Sequence, residues 1–139
     1  MGNKTKIFKG VAWFASVYHA LLGLGGLFGS SAFIQQVVKG VYGINLTLTS
    51  EVIFLIKFTS VYMLAFAVAM AIMALNPVRH GCLIWVAAAL FGTRILYKII
   101  FFQDIQTTFG GAATGEITTL VVITAMLGLL FWSRPKGQG

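Results

Sequence analysis

The sequence predicts an all-α integral membrane protein: a four-helix bundle with a short amphipathic interfacial helix between the first and second spans. Composition is the first reason. Of 139 residues, 58% are hydrophobic and 9% charged, with a mean hydropathy of +0.91. A soluble domain carries about 25% charge. The second reason is length. A spanning helix needs about 20 mostly apolar residues, so four spans use roughly 80. What remains makes one long connection, short loops and tails, so residues 1–139 form a single membrane domain. A disordered chain, a coiled coil and a soluble nucleic-acid binder are excluded.

The first span is expected at about 7–29, with Lys9 at its entrance. Its length, its glycines and the lack of an A-x-A-like site predict a retained helix rather than a cleaved signal peptide. Lys6 stands where a myristoylation motif wants Ser or Thr, which argues against lipidation. Residues 31–50 are less apolar. Within them Phe33, Val37 and Val41 recur at helical spacing, opposite Gln35, Gln36 and Lys39. That pattern predicts an interfacial helix at about 32–41, broken by Gly40, Gly43 and Asn45. The second span covers about 52–75 and stops at Asn76-Pro77, because proline cannot continue the helical hydrogen bonding. The short 76–81 loop then makes an antiparallel hairpin with a third span at about 82–102. Residues 104–115 read as a polar, glycine-rich connection, and a fourth span follows at about 117–132, ended by Arg134-Pro135.

Four spans put both termini and the 76–81 loop on one side. Lys4, Lys6, Lys9, Arg79, Arg134 and Lys136 lie there, so the positive-inside rule makes that side cytoplasmic. The net charge of +7 is thereby explained by orientation rather than by nucleic acid. All 3 acids, Glu51, Asp104 and Glu116, fall on the opposite side. Small residues four apart predict close helix packing: Gly25/Gly29, Ala65/Ala69, Ala67/Ala71, Ala88/Gly92 and Thr124/Gly128. The same faces would also suit other membrane subunits or a second copy.

Ionisable residues within spans are the functional clue. Lys57 lies about 9 Å inward from Glu51, and Lys98 about 9 Å inward from Asp104, at ~1.5 Å per residue. Arg94 is one turn deeper than Lys98 on the same face, and Tyr97 adjoins Lys98 in sequence. Two readings come first, with a proton or ion path as a third. In one, these cations and Glu51, Asp104 and Glu116 neutralise each other, the long side chains snorkelling outward. In the other, Arg94, Lys98 and Lys57 line a cavity for a quinone head group, a fatty acid or a lipid phosphate. Arg94 is the principal candidate, because its guanidinium is a rigid fork of donors that stays charged when buried. An uncompensated cation at that depth costs at least ~2.5 kcal/mol, so Arg94 should face the bundle and have an acidic, phenolic or carbonyl partner.

His19, beside Tyr18, sits near mid-bilayer. It is expected to hydrogen-bond a neighbouring helix or a quinone carbonyl. Haem is not expected, because His80 lies in a loop far from that depth and a methionine such as Met63 or Met70 is an unspecific gap-filler. No metal-ligand cluster, phosphate loop or nucleophile elbow is present in the sequence. The glycines of residues 23–26 sit in an apolar span and read as packing residues. Cys82 is alone, which excludes a dithiol motif. Asn45-Leu46-Thr47 matches a glycosylation sequon.

Residues 58–102, with Asn76-Pro77-Val78-Arg79 between two spans and Arg94 near the end, resemble the DoxX-like group of small four-helix bacterial membrane proteins. The resemblance implies a bacterial or archaeal cytoplasmic membrane and, since that group includes quinone-linked oxidase subunits, a quinone-linked setting. The leading expectation is a non-catalytic accessory subunit of a larger membrane complex. The alternatives are a quinone- or lipid-binding carrier and an enzyme acting on a lipophilic substrate. Expected partners are membrane lipids and other membrane subunits or copies of the chain, not nucleic acid.

Overall fold

A computed structural model describes residues 2–42, 46–109 and 113–135, without the side chains of 42, 109, 113, 114 and 116. The described residues are helical: α1 Asn3–Phe28, α2 Ser31–Tyr42, α3 Ser50–Leu75, α4 Ile84–Ile100, α5 Phe102–Phe109 and α6 Ala113–Ser133. A 3-10 turn, Gly81–Leu83, leads into α4. Helices α1, α3 and the Gly81–Ile100 segment are each long and apolar enough to cross a membrane. Helix α6 contains a shorter apolar stretch, Ile117–Ser133. The chain is a multi-pass membrane protein.

The boundaries have local causes. The Phe33 amide N–H donates to Ser30 Oγ at 3.3 Å, which caps the start of α2. Thr49 caps α3 in the same way, its Oγ1 accepting from Val52 N–H at 3.4 Å. At the other end of α3, the Asn76 side chain accepts from Arg79 N–H at 3.2 Å, shaping the turn that Pro77 forces.

Helix α1 makes the most extensive packing in the bundle. It runs closely along α3 and also packs on α6, which packs on α4, while α3 and α4 touch lightly. The ring of helices is therefore α3–α1–α6–α4, with its loosest joint between α3 and α4. The core joins Phe8, Ala12 and Ala15 of α1 to Phe66, Met70 and Met73 of α3 and to Phe91, Met126 and Leu130 of the other two helices.

The closeness of α1 to α3 is set by glycine. A Cβ at Gly26 would overlap Ser60 Oγ, and one at Gly23 would come within 2.8 Å of Leu64 Cγ and 3.0 Å of the Ser60 carbonyl. Between them the helices are bonded directly, Ser16 Oγ donating to the Ala67 carbonyl at 2.8 Å. Gly25 and Gly29 serve α2 instead: the Phe33 ring fills the notch they leave. Ala67 is buried in the core, but two expected seams are not packed. A Cβ on Gly92 or Gly128 would meet nothing within 4 Å, and Thr124 is exposed. Spacing marks small residues as a stripe without saying which stripe faces a neighbour.

One end of the bundle gathers the chain's cationic tails. Lys4 Nζ lies 5.2 Å from the Trp132 ring centroid, a cation–π contact between the start of α1 and the end of α6. Val78 of the α3–α4 turn and Arg134 line the same cleft as Lys4. Helix α2 lies at the opposite end, where Thr119 Oγ1 of α6 donates to the Val41 carbonyl at 3.3 Å. Its polar residues Gln35, Gln36 and Lys39 are exposed as the sequence predicts, but the expected apolar face is shifted: Ile34 is buried, Val37 and Val41 are half-buried, and Phe33 is exposed.

The described residues of the expected 104–115 loop, 104–109 and 113–115, are helical instead. Helix α5 takes up their first half and α6 begins at Ala113, four residues early. Phe101, just after α4, carries the break between α4 and α5. The polar residues misled; Phe102, Ile105 and Phe109 stand at i, i+3 and i+7, and Ile105 is buried. Asn45 of the sequon and Lys136 lie outside the described residues, as does the side chain of Glu116.

Candidate functional site: a histidine–arginine contact between two cavities

Helix α1 turns its buried positions toward the bundle axis at intervals of three and four: Ala12, Ala15, Ser16, His19 and Gly23. His19 is the large polar member of that stripe. Its Nδ1 lies 2.8 Å from the Ala15 carbonyl. A carbonyl can only accept, so Nδ1 carries a proton and donates. Its Nε2 faces Arg94 Nη1 of α4 at 3.4 Å. A guanidinium can only donate, so this long contact fits a lone pair on Nε2. Both contacts thus agree on the neutral, Nδ1-protonated ring.

Aromatic rings hold that imidazole in place. Phe66 meets it edge-on at 4.7 Å between centroids, Tyr18 edge-on at 5.3 Å, and Phe91 tilted at 5.8 Å. Phe66 and Phe91 also touch each other at 5.4 Å. A ring bonded at one nitrogen and packed on three sides has little rotational freedom, so Nε2 is held facing Arg94.

Two cavities flank this pair, and His19 and Arg94 line both. One, of about 370 Å³, occupies the loose joint of α1, α3 and α4, with Thr59, Tyr62, Met63 and Leu90 as its other walls. The second, of about 250 Å³, lies between α1, α4 and α6; Tyr18, Phe91, Thr118 and Thr119 are among its walls. Each cavity combines apolar surface with a convergent donor group, the usual make-up of a small-molecule site.

Of the five candidate ligand residues, the fold brings Arg94 and His19 together. Lys98 is buried one turn further along α4. Lys57 and Tyr97 point away: both are exposed, the Tyr97 ring meets Phe101 at a tilt with centroids 5.1 Å apart, and neither lines either cavity. The expected cluster of Arg94, Lys98 and Lys57 around one space is therefore corrected, because equal depth in the membrane does not mean the same side of a helix. Among the acids, Glu51 at the start of α3 and Asp104 in α5 are exposed. Arg94 faces the bundle, as its depth demands, and the His19 imidazole is a neighbour that depth alone did not suggest. Both residues had been singled out; their pairing across 75 positions had no local signal. The described residues contain no group of three or more His, Cys, Asp or Glu suited to a metal ion.

No protein-family model matches the chain, and no curated protein or solved structure matches it at a significant level.

Proposed function

We propose that this multi-pass membrane protein is a non-catalytic binding protein for a lipophilic molecule with an oxygen-bearing head, a quinone carbonyl or a carboxylate. The observation that carries the reading is that one His19–Arg94 pair lines two adjoining cavities. Arg94 supplies donors to an acceptor oxygen, and low dielectric inside the bundle strengthens such charge-assisted bonds. His19 holds the guanidinium in position from the side. The same proposal takes the four main helices as spans of a bacterial or archaeal cytoplasmic membrane, with the end bearing Lys4, Arg79 and Arg134 inside, on the positive-inside rule. The DoxX-like resemblance of residues 58–102 would put a quinone first among ligands and a larger redox complex first among partners.

The test is binding to purified full-length protein in nanodiscs, with a decyl-tailed benzoquinone and with palmitate. Saturable binding that weakens about tenfold in Arg94→Leu supports the reading. Equal binding by wild type and Arg94→Leu would sink it. A reporter fused after Gly139 should be active only in the cytoplasm; activity outside would reverse the orientation.

A further inference from the structure

A third cavity adjoins the His19–Arg94 site. It is a cleft of about 230 Å³ beneath α2, walled by α1, α2 and α3. Leu22, Phe33, Val37, Val52 and Leu55 give it apolar walls, and Thr59, Ser60 and Met63 lie on the α3 side. Ser60 offers it no free proton, because its Oγ donates to the Ile56 carbonyl at 2.7 Å. Two of these residues matter most. Thr59 and Met63 also line the 370 Å³ cavity that contains His19 and Arg94. They stand four apart on one face of α3, so they form the partition between an apolar cleft and a cavity bearing a cation.

We infer that the ligand of the His19–Arg94 pair is a single-chain amphiphile, its oxygen head at Arg94 and its tail passing Thr59 and Met63 into the cleft beneath α2. The inference rests on the binding function proposed above and adds the shape of the ligand. An apolar groove alone would admit any acyl chain from the bilayer. Here the polar anchor lies at one end of the space and the greasy walls at the other. Methionine suits the partition: an unbranched side chain with three rotatable bonds can swing aside and then pack on the tail. A two-chain lipid fits poorly, because α2 roofs the cleft and Phe33 seats it against Gly25 and Gly29.

Photolabelling of the full chain in phosphatidylcholine nanodiscs tests this. Palmitate and an alkyl benzoquinone, each with a diazirine in the tail, serve as probes, and adducts are mapped by mass spectrometry. Adducts should concentrate on Val37, Val52 and Leu55 and fall about tenfold in Arg94→Leu. Labelling by palmitate alone assigns a carboxylate head, and labelling by the quinone alone a carbonyl head. Val37→Trp, at a half-buried position in the α2 wall, narrows the cleft without touching the pair. It should abolish tail labelling while a short-chain benzoquinone or hexanoate still binds. Should tail adducts spread evenly over lipid-facing Leu96 and Ile99 while Arg94-dependent binding persists, the tail path is wrong and the binding reading stands. Unchanged cleft labelling in both variants also overturns the tail path. Absence of any Arg94-dependent binding removes both.

Discussion

Helix α3 presents two different surfaces to the rest of the bundle. Along the face toward α1 it offers Ser60, Ala67 and Met70, and α1 answers with Ser16, Gly23 and Gly26. Nearby, toward α4, it offers Thr59, Tyr62 and Met63 across an open space. The first surface is closed and self-satisfied: Ser16 and Ser60 both spend their hydroxyl protons on backbone carbonyls. The second borders an open space, and α4 turns a guanidinium toward it. Small residues bring stability in a membrane by allowing close approach; here large ones next to them line that space. Close packing and open space thus fall to adjacent stripes of one helix.

The strongest attack on this contrast is Gly26→Val. The added methyls must displace Ser60, and overpacking of this kind costs about 1–3 kcal/mol. Thermal unfolding in detergent should show the loss; an unchanged midpoint would mean the α1–α3 seam is slack. Arg94→Leu tests the other surface. It should leave the unfolding midpoint near wild type and weaken ligand binding about tenfold, or about 1.4 kcal/mol. A collapse of the fold with no separable binding defect would make Arg94 structural. Ser16→Ala removes the interhelical bond at the seam and should cost about 0.6 kcal/mol, the average for such bonds in a membrane bundle, without altering binding. The smallest effect belongs to Gly128→Ala. Its Cβ meets open space, so the substitution should be neutral or stabilise by about 0.5 kcal/mol; a clear loss would show that a neighbour covers that face.

The long apolar helices were readable from the sequence; direction around the helix axis was not. The long apolar helices, the polar face of α2 and the stop at Asn76-Pro77 follow from composition and local chemistry. Helix α3 is apolar on every side, so no hydrophobic stripe could say that Ser60 faces α1 or that Lys57 faces away. Within α5, the polar run Gln103-Asp104 and Gln106-Thr107-Thr108 hid an apolar spacing of three and four. The site was half visible. Arg94 had to face inward because charge is costly in lipid, whereas nothing short of a fold could join it to His19.

The helices of this bundle are unequal in length. At ~1.5 Å per residue, the stretch of α3 from Val52 to Leu75 reaches ~36 Å, while the apolar part of α6, Ile117–Ser133, reaches only ~26 Å. A hydrocarbon core of about 30 Å is too thin for the first to stand upright and too thick for the second. Seated in one bilayer, α3 must lean, and lipid beside α6 must draw in by a few ångströms. The protein is thus matched to a thin membrane on one flank and a thicker one on the other. Neighbouring acyl chains would be graded in stretch around its circumference, so bilayer thickness should influence where it resides and how its helices lean.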